Sequence, residues 1–348
     1  MILNFIRTNH KLILEWLKTI LISFICVLII RTFIFEISPV TSPSMEKSLL
    51  TGDFMLINKL SYGPRLPKTI LSIPFVNQKY FSKLIMLPYL RLFGTPGVER
   101  NDIIVFNYPL EDDLPVDHRS YFVKRCIAIP GDSIKIIDGD TYINHEKTED
   151  NQSFQFNYHL KSEKELDSTF IQHFKLFEGG KISENNDYSF TLTNNLVDTF
   201  KSKTFISIVE KNKEKIGMWD EFVFPFNEYY KWNVDNFGPL KIPQKGDTVK
   251  LDSTNWCVYE RIVTQYENND VEIKNDSLFI NNKYSNYYVI KQNYYFMMGD
   301  NRHNSQDSRH WGFVPEDHII GKVSRIIFSI DKLWGDGIRW NRLFKALK

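Results

Sequence analysis

Residues 16–35 form an apolar run, WLKTILISFICVLIIRTFIF, in which the charged residues Lys18 and Arg31 stand near the two ends. A helix of this length crosses a hydrocarbon core of about 30 Å. The two long side chains can extend toward opposite headgroup layers, which lowers the cost of placing their charges at the edges of the span. The run therefore predicts a transmembrane helix, with residues 1–36 as the N-terminus and anchor.

The basic residues around the run predict its orientation. Arg7, Lys11 and Lys18 precede the uncharged centre, so the N-terminus is expected in the cytoplasm and the rest of the chain outside. A cleaved signal peptide is the alternative, because the uncharged stretch 19–30 is short enough for one. The residues after it stay bulky, and Pro43 follows the one small-residue candidate cleavage site, so the sequence favours a retained anchor.

Beyond the anchor, the sequence is typical of a mainly β protein. Short β-branched and aromatic runs alternate with Gly, Pro, Asn and Asp turn signals. Between residues 144 and 289 the composition shifts toward Asn, Lys, Glu, Asp and aromatic residues, as expected of an inserted domain. We expect an N-terminal transmembrane helix, then an antiparallel β-rich domain of residues 37–143 and 290–348, with a large inserted second domain of residues 144–289.

The charge balance and the residues that bind metals argue against several function classes. The chain has 43 Lys and Arg against 42 Asp and Glu, and binding to phosphates needs a basic surplus, so nucleic acid is not expected as a partner. The eight histidines are scattered and no metal-binding spacing occurs, so neither a metal nor another cofactor is expected. At most one disulfide, Cys126 to Cys257, could form.

Residues 70–93 are unusually apolar for a connection, and they interleave aromatic residues with Lys and Arg. Segments of this kind lie on membrane surfaces in some proteins. An ordinary core segment or a covering hairpin fits the pattern equally well. The sequence leaves both interpretations open.

A serine-rich cluster, residues 41–53, follows the anchor and contains Ser44 directly after Pro43. The proline fixes the backbone before the serine, and Gly52-Asp53 predicts a turn into the next apolar run. A serine in a rigid loop near the bilayer is a candidate nucleophile. A serine-rich linker beside the membrane is the structural alternative for the same residues.

A predicted strand, residues 121–129, ends at a Pro-Gly-Asp turn and carries Lys124. Strand alternation places the lysine on the same face as Phe122, Cys126 and Ala128. Burial disfavours an ammonium ion, so a lysine among apolar side chains has a lowered pKa and can act as a neutral general base. A solvated face is the ordinary alternative, since most lysine side chains are exposed.

A polar loop, residues 298–315, is the third cluster, and it holds many hydrogen-bonding side chains. This density predicts a network that fixes the loop. Asp307 and Arg309 could pair with each other, and Ser305 could orient a nearby amine. A calcium loop is disfavoured, because the alternating acidic positions, the central glycine and the terminal glutamate are missing.

In this order behind an N-terminal anchor, the three clusters resemble type I signal peptidases, the Ser/Lys endopeptidases that release preproteins from the membrane. The polar loop is similar to that family's Gly-Asp-Asn-Arg-x-Asn-Ser-x-Asp-Ser-Arg signature, and residues 123–132 are similar to its Val-Lys-Arg-x-x-x-x-Pro-Gly-Asp segment. A further box, residues 99–106 with Pro109, resembles the strand before the lysine segment. The resemblance covers roughly residues 10–60, 98–145 and 290–330.

The resemblance implies that Ser44 is the nucleophile and Lys124 the general base of a Ser/Lys dyad. Ser42 and the backbone N–H of Ser44 would stabilise the oxyanion. The implied activity is the removal of signal (leader) peptides from exported preproteins at the bacterial inner membrane, with the catalytic domain on the periplasmic face. The expected partners are these signal peptides and the lipid bilayer.

The resemblance also implies supporting roles around the dyad. Ser305 would hold Lys124, while Asp307 and Arg309 would support the polar loop. Met45 would lie beside the substrate groove. The β-rich domain of residues 37–143 and 290–348 would then be the catalytic domain.

Two other function classes fit parts of the sequence. Ser44-Met-Glu-Lys47 fits the Ser-x-x-Lys motif of penicillin-binding proteins and Ser253-Thr-Asn255 fits Ser-x-Asn, but the Lys-Thr-Gly element is absent. A membrane-tethered β-rich binding module is the non-enzymatic alternative, in which the serines belong to a linker and the polar loop is structural. The module predicts normal function after Ser44→Ala, whereas both enzymes lose activity.

Overall fold

An apolar helix, α1 (His10–Phe33), begins the part of the chain that the computed structural model describes, which comprises residues 10–69, 86–92, 97–149, 151–274, 277–331 and 337–347. Its residues Leu12–Phe33 have a mean hydropathy of 2.3, and none of the apolar window is buried against protein. The helix is long and apolar enough to cross a membrane. It coincides with the predicted anchor.

The remainder is mainly β, as predicted, with short helices between the strands. The helices are α2 (Ser168–Phe174), α3 (Asn194–Lys201), α4 (Trp256–Arg261) and α5 (Ser308–Trp311). The strands are β1 (Phe35–Pro39), β2 (Asp53–Asn58), β3 (Ile103–Asn107), β4 (Tyr121–Ala128), β5 (Ser133–Ile137), β6 (Asp140–Ile143), β7 (Glu146–Lys147), β8 (Gln155–Ser162), β9 (Gly179–Ser183), β10 (Asp187–Thr193), β11 (Ile206–Lys211), β12 (Phe237–Lys241), β13 (Thr248–Lys250), β14 (Val271–Lys274), β15 (Ser277–Ile280), β16 (Lys283–Tyr284), β17 (Tyr287–Val289), β18 (Tyr294–Met298), β19 (Val314–Pro315), β20 (Ile319–Asp331) and β21 (Gly337–Ile338).

The main sheet gathers the three sequence clusters. Its strand order is β1-β2-β20-β3-β4-β18-β19, with β21 paired to β20, and neighbouring strands are antiparallel. The serine-rich cluster connects β1 to β2, β4 carries the lysine, and the polar loop follows β18. Because β4 pairs with β3 on one side and β18 on the other, the lysine strand is held along both edges.

The main sheet is covered on both faces, which explains the apolar runs in its strands. Along β3, Ile103 and Val105 belong to one apolar cluster, while Ile104 and Phe106 belong to another. Successive strand residues point to opposite faces, so the two clusters lie on opposite sides of the sheet. Val123 joins the first cluster, and Phe122 and Cys126 the second, as the alternation along β4 predicted. The prediction is wrong for Ala128, which packs with Ile127 in a third cluster, where the pairing of β4 with β18 shifts register.

Residues between 144 and 289 contribute to two different cores. The sheet β11-β8-β10-β9 surrounds its own apolar cluster, which runs from Phe154 to Ile206. Residues from Val223 to Tyr288 instead pack with apolar residues of β5 and β18, and β12 pairs with β5. The boundaries 144 and 289 of the inserted domain stay a prediction.

The cysteines and the apolar segment 70–93 are the two points that the sequence left open. Cys26, Cys126 and Cys257 are all unbridged. Residues 70–85 and 93 lie outside the described residues, so a membrane-surface role for the segment stays a prediction.

Candidate active site

Ser44 lies in a tight 3-10 turn, Pro43–Met45, in the connection from β1 to β2. Pro43 opens the turn, where its fixed φ suits the helical geometry and its missing N–H costs no hydrogen bond. The Glu46 N–H closes the turn by donating to the Pro43 carbonyl at 2.9 Å. Ser44 is 6% exposed, so the serine sits in a fixed, buried turn and not in a loose linker.

The Lys124 side chain reaches Ser44 from the middle of β4. Its Nζ donates a hydrogen bond to Ser44 Oγ at 2.6 Å. The lysine is 3% exposed, and its Nζ lies 5.6 Å from the centre of the Phe122 ring. Burial lowers the pKa of Lys124 to about 8, although the negative charges of Asp307 and Asp300 raise it. A sizeable fraction of the amine is therefore neutral near physiological pH, as a base must be before it accepts a proton.

The Ser42 hydroxyl lies beside the candidate nucleophile. Its Oγ is 3.2 Å from Ser44 Oγ, and its backbone is extended immediately before the 3-10 turn. Ser42 is exposed, in contrast to Ser44. Ser44 Oγ therefore has a second hydroxyl on one side and a buried amine on the other.

Asp307 and Arg309 form a buried ion pair inside the polar loop, as the sequence suggested. Arg309 Nε donates to Asp307 Oδ1 at 2.9 Å and its Nη2 donates to Oδ2 at 2.8 Å. Burial alone would raise the pKa of the Asp307 carboxyl, but the Arg309 guanidinium lowers it to about 2. Asp307 also accepts from the Gly299 N–H at 3.1 Å and caps helix α5. Asp307 therefore connects the start of the loop, at Gly299, to helix α5.

Ser305 lies near the turn that carries Ser44 but does not bond to Lys124. Between these two described residues there is no hydrogen bond, and the Ser305 hydroxyl donates to the Gln306 carbonyl at 3.4 Å. A Cβ added to Gly299 would come within 2.3 Å of Ser305 Oγ and 2.5 Å of the Ser44 carbonyl oxygen. The loop backbone therefore runs between Ser305 and the Pro43–Met45 turn, the nucleophile turn of the candidate site, and only glycine fits there. The holding role of Ser305 stays a prediction.

Met45 follows the candidate nucleophile and is wholly buried. It packs in the apolar cluster of the main sheet with residues such as Leu49 and Ile103. Because Met45 is buried in this cluster, it anchors the turn to the apolar core. Its predicted place beside a substrate groove stays a prediction.

A second buried ion pair, which the sequence did not single out, connects the serine-rich cluster, the lysine strand and the polar loop. Arg125 donates to both Asp300 carboxylate oxygens, at 2.8 and 2.7 Å, and the Ser48 hydroxyl donates to the same carboxylate at 2.5 Å. Arg125 is 1% exposed and Asp300 is fully buried. Both residues stand directly beside motif residues, Arg125 after Lys124 and Asp300 after Gly299, and this adjacency was the available signal.

A model of the family described as signal peptidase, peptidase S26, matches residues 13–217 and 241–328. The chain belongs to the signal peptidase S26 family. Signal peptidase I of Buchnera aphidicola subsp. Acyrthosiphon pisum is 27% identical over 96% of this chain and 82% of its own length. Signal peptidase I of Aquifex aeolicus is 28% identical over 88% of this chain and 80% of its own length.

A solved signal peptidase I from Enterococcus faecalis is similar to 66% of this chain and 98% of its own chain, at 15% identity. Its TM-score of 0.24 is too low to bear on the fold. Membership in the signal peptidase family rests on the family model and on the relatives that span most of this chain.

Membership in the signal peptidase family makes the chain a serine endopeptidase, and signal-peptide removal from preproteins is the activity it supports. The non-enzymatic binding module is thereby wrong. The penicillin-binding alternative also lacks support in the geometry, because the amine that bonds to Ser44 is Lys124 and not Lys47. The Asn255 side chain is engaged in its own local turn, where it donates to the Lys250 carbonyl at 2.8 Å.

Proposed function

We propose that the chain is a membrane-anchored endopeptidase that removes signal peptides from exported preproteins, with Ser44 as nucleophile and Lys124 as general base. The observation that carries the proposal is the 2.6 Å hydrogen bond between Lys124 Nζ and Ser44 Oγ in a buried environment. A nucleophile within hydrogen-bond reach of a base with a lowered pKa is the arrangement that activates a hydroxyl.

The proposed reaction begins with neutral Lys124. Its amine takes the proton of Ser44 as the hydroxyl attacks the scissile carbonyl, and the resulting tetrahedral intermediate collapses to an acyl-enzyme with loss of the new N-terminus of the mature chain. The protonated lysine returns its proton to the leaving amine. Water, deprotonated by the same lysine, then attacks the ester and releases the signal peptide.

The oxyanion of each tetrahedral step needs donors that already point at it. Ser42 Oγ and the backbone N–H of Ser44 are the proposed donors, supported by the 3.2 Å separation of the two serine hydroxyls. Removing one such donor from a serine protease typically lowers the rate by roughly 10²–10³-fold. Ser305 is proposed to hold Lys124, and Asp307 and Arg309 to support the polar loop. Met45 is proposed to lie beside the substrate groove.

The proposed location is the outer face of a bacterial plasma membrane. Helix α1 would cross the bilayer once, with its basic N-terminal flank in the cytoplasm. This arrangement leaves the domain that follows α1 on the periplasmic side, where an exported signal peptide emerges. The preprotein would bind in an extended form as an added strand.

Cleavage of a preprotein by the full-length chain in detergent tests the proposal. We expect wild type to release a shortened mature protein, and Ser44→Ala and Lys124→Ala to release none above background. Lys124→Arg should also be inactive, because a guanidinium group stays protonated. Lys135→Ala is the matched control, because that lysine is exposed on β5, the next strand in sequence. This variant should cleave like wild type.

Thermal unfolding of each variant separates a lost dyad from a lost fold. Ser44→Ala and Lys124→Ala should melt within a few degrees of wild type, because each replacement shortens a side chain without exposing the sheet. Activity retained by a folded Lys124→Arg variant would overturn the general-base role. An inactive wild type would overturn the function itself.

A further inference from the structure

The first sheet of the insert lies directly against the polar loop, at a point that the dyad mechanism leaves unexplained. The Gln155 N–H of β8 donates to the Asp300 carbonyl at 2.9 Å, and the Arg302 N–H donates back to the Gln155 carbonyl at 2.9 Å. These two bonds flank Asn301, which is fully buried. The insert therefore fixes the backbone on both sides of this one asparagine.

Asn301 in turn holds the nucleophile turn by two contacts. Its backbone N–H donates to the Ser44 carbonyl at 3.1 Å, and its side-chain Nδ2 donates to the Pro43 carbonyl at 3.3 Å. The Pro43 carbonyl belongs to the same peptide group as the Ser44 N–H. Because the C=O and N–H of a trans peptide group are coplanar and point in opposite directions, fixing the carbonyl also aims the N–H.

Glu178 accepts a second hydrogen bond from the same Asn301 Nδ2 group. It stands directly before β9 of the insert, and its Oε2 accepts a hydrogen bond from Asn301 Nδ2 at 2.7 Å. Among the described residues, the Asn301 Oδ1 atom is buried without a hydrogen-bond partner. Nothing on the oxygen side therefore decides which way the amide faces.

A reversed amide would bring oxygen against oxygen on both contacts. Asn301 Oδ1 would then face the Pro43 carbonyl and the Glu178 carboxylate. A carbonyl oxygen and an ionised carboxylate can only accept hydrogen bonds. The contact to the carboxylate is the shorter of the two and is charge-assisted, so it contributes the larger share to the preference. Glu178 keeps the Asn301 donor pointed at the nucleophile turn.

We propose that Glu178 is a positioning residue for the peptidase reaction: through Asn301 it aims the Ser44 N–H at the developing oxyanion. This inference rests on the proposed function. It gives the insert a part in the chemistry that neither the dyad nor the polar loop supplies. Glu178 does not touch the reacting atoms and acts only through the asparagine.

The proposal predicts a defect in turnover and not in substrate binding. An oxyanion donor acts in the tetrahedral state, so misaiming it lowers kcat and leaves KM nearly unchanged. With one donor weakened but present, we expect Glu178→Ala to lower kcat by roughly tenfold, short of the roughly 10²–10³-fold loss for a missing donor. Asn301→Asp, which replaces the donor by an acceptor, should lose roughly 100-fold.

A conservative replacement and a matched control complete the series. Glu178→Gln keeps an oxygen that accepts from Asn301, so its kcat should recover to within about threefold of wild type. Glu163→Gln is the control, because Glu163 is an exposed carboxylate of the same insert, and it should behave like wild type.

The affinities of two inhibitors distinguish a role in aiming the oxyanion donor from a role in stabilising the fold. A peptide aldehyde forms a hemiacetal with the serine and places its oxygen where the oxyanion develops, whereas an uncleavable peptide of the same sequence does not. For Glu178→Ala, the aldehyde should lose affinity by about the factor lost in kcat, while the uncleavable peptide binds as to wild type.

The outcomes separate this inference from the proposed function. If wild type cleaves the preprotein and folded Glu178→Ala matches it in kcat and in aldehyde affinity, the inference is wrong and the dyad stands. If Glu178→Ala weakens both inhibitors equally, Glu178 only stabilises the fold and the inference is likewise wrong. If wild type does not cleave, the proposed function fails first.

Discussion

At the scale of single residues, the proposed mechanism depends most on Lys124, and the surroundings of this side chain suit it to the role of a base. The side chain is 3% exposed and its amine donates to the Ser44 hydroxyl. Burial lowers its pKa to about 8, while Asp307 and Asp300 keep it from falling further. A lower value would weaken the amine as a base, and an ordinary lysine value would leave it protonated.

The pH dependence of cleavage follows from this value. The active form is the neutral amine, so kcat/KM should rise with pH and reach half its maximum at about pH 8. Rates of cleavage of a peptide substrate across about pH 6 to pH 10 measure the free-enzyme titration. A midpoint near the ordinary lysine pKa of about 10.4, or a rate that falls over this range, would contradict the role of Lys124. Circular dichroism at each pH excludes unfolding.

Gly299 predicts a second effect at the residue scale. A Cβ there would lie 2.5 Å from the Ser44 carbonyl oxygen, which is backbone and cannot move aside without shifting the nucleophile turn. We expect Gly299→Ala to lower kcat by roughly 100-fold, the loss associated with a misplacement of about 1 Å. Gly97→Ala is the control, because a Cβ at Gly97 meets no atom within 4 Å. Equal kcat for both variants would contradict the close packing.

At the scale of elements, a buried ion pair joins the polar loop to β4. Arg125 on β4 binds Asp300, which also accepts from the Ser48 hydroxyl beyond the nucleophile turn. The alternation along β4 predicted that Phe122 and Cys126 share a face of the strand with Lys124. It did not predict that the next residue would reach the loop, because that contact depends on β18 lying beside β4.

Asp300→Asn tests the ion pair. Removing one charge leaves the Arg125 guanidinium buried without its carboxylate, which typically costs about 3–5 kcal/mol of unfolding free energy. Urea unfolding in detergent, followed by tryptophan fluorescence, measures the loss. Asp113→Asn alters an exposed carboxylate and should leave stability within about 0.5 kcal/mol of wild type. If the two variants unfolded alike, the pair would not stabilise the site.

At the scale of the whole molecule, Arg342 near the C-terminus binds the connection between β1 and β2. Arg342 donates to both carboxylate oxygens of Asp53, at 2.9 and 2.5 Å, and to the Ser48 carbonyl at 3.0 Å. Asp53 in turn accepts from the Leu50 N–H at 2.8 Å. The C-terminal segment therefore closes the connection that leads from the nucleophile turn into β2.

Arg342→Met tests this closure while keeping the length of the side chain. Asp53 is fully buried, so losing its partner should destabilise the chain by about 3–5 kcal/mol and lower cleavage at temperatures near the melting transition. Arg325→Met, at an exposed arginine of β20, should change neither. Wild-type melting temperature and activity in Arg342→Met would contradict a structural role for the chain end.

Local patterns in the sequence determined the anchor, the β-rich character and the chemical types of the site. Hydropathy over one run predicts a helix, and alternation over one strand predicts which residues accompany Lys124, because both depend only on near neighbours along the chain. The motifs also named the serine and the lysine. Their roles remain proposals until the variants are measured.

Only the tertiary structure decided which of these residues meet. Lys124 and Ser44 are 80 positions apart, Arg125 and Asp300 are 175 apart, and Arg342 and Asp53 are 289 apart. The contact of Glu178 with Asn301 likewise requires the sheet β11-β8-β10-β9 to fold against the polar loop. Such pairs depend on how strands distant in sequence pack together and on how far each group is desolvated by burial. A short stretch of neighbouring residues determines neither.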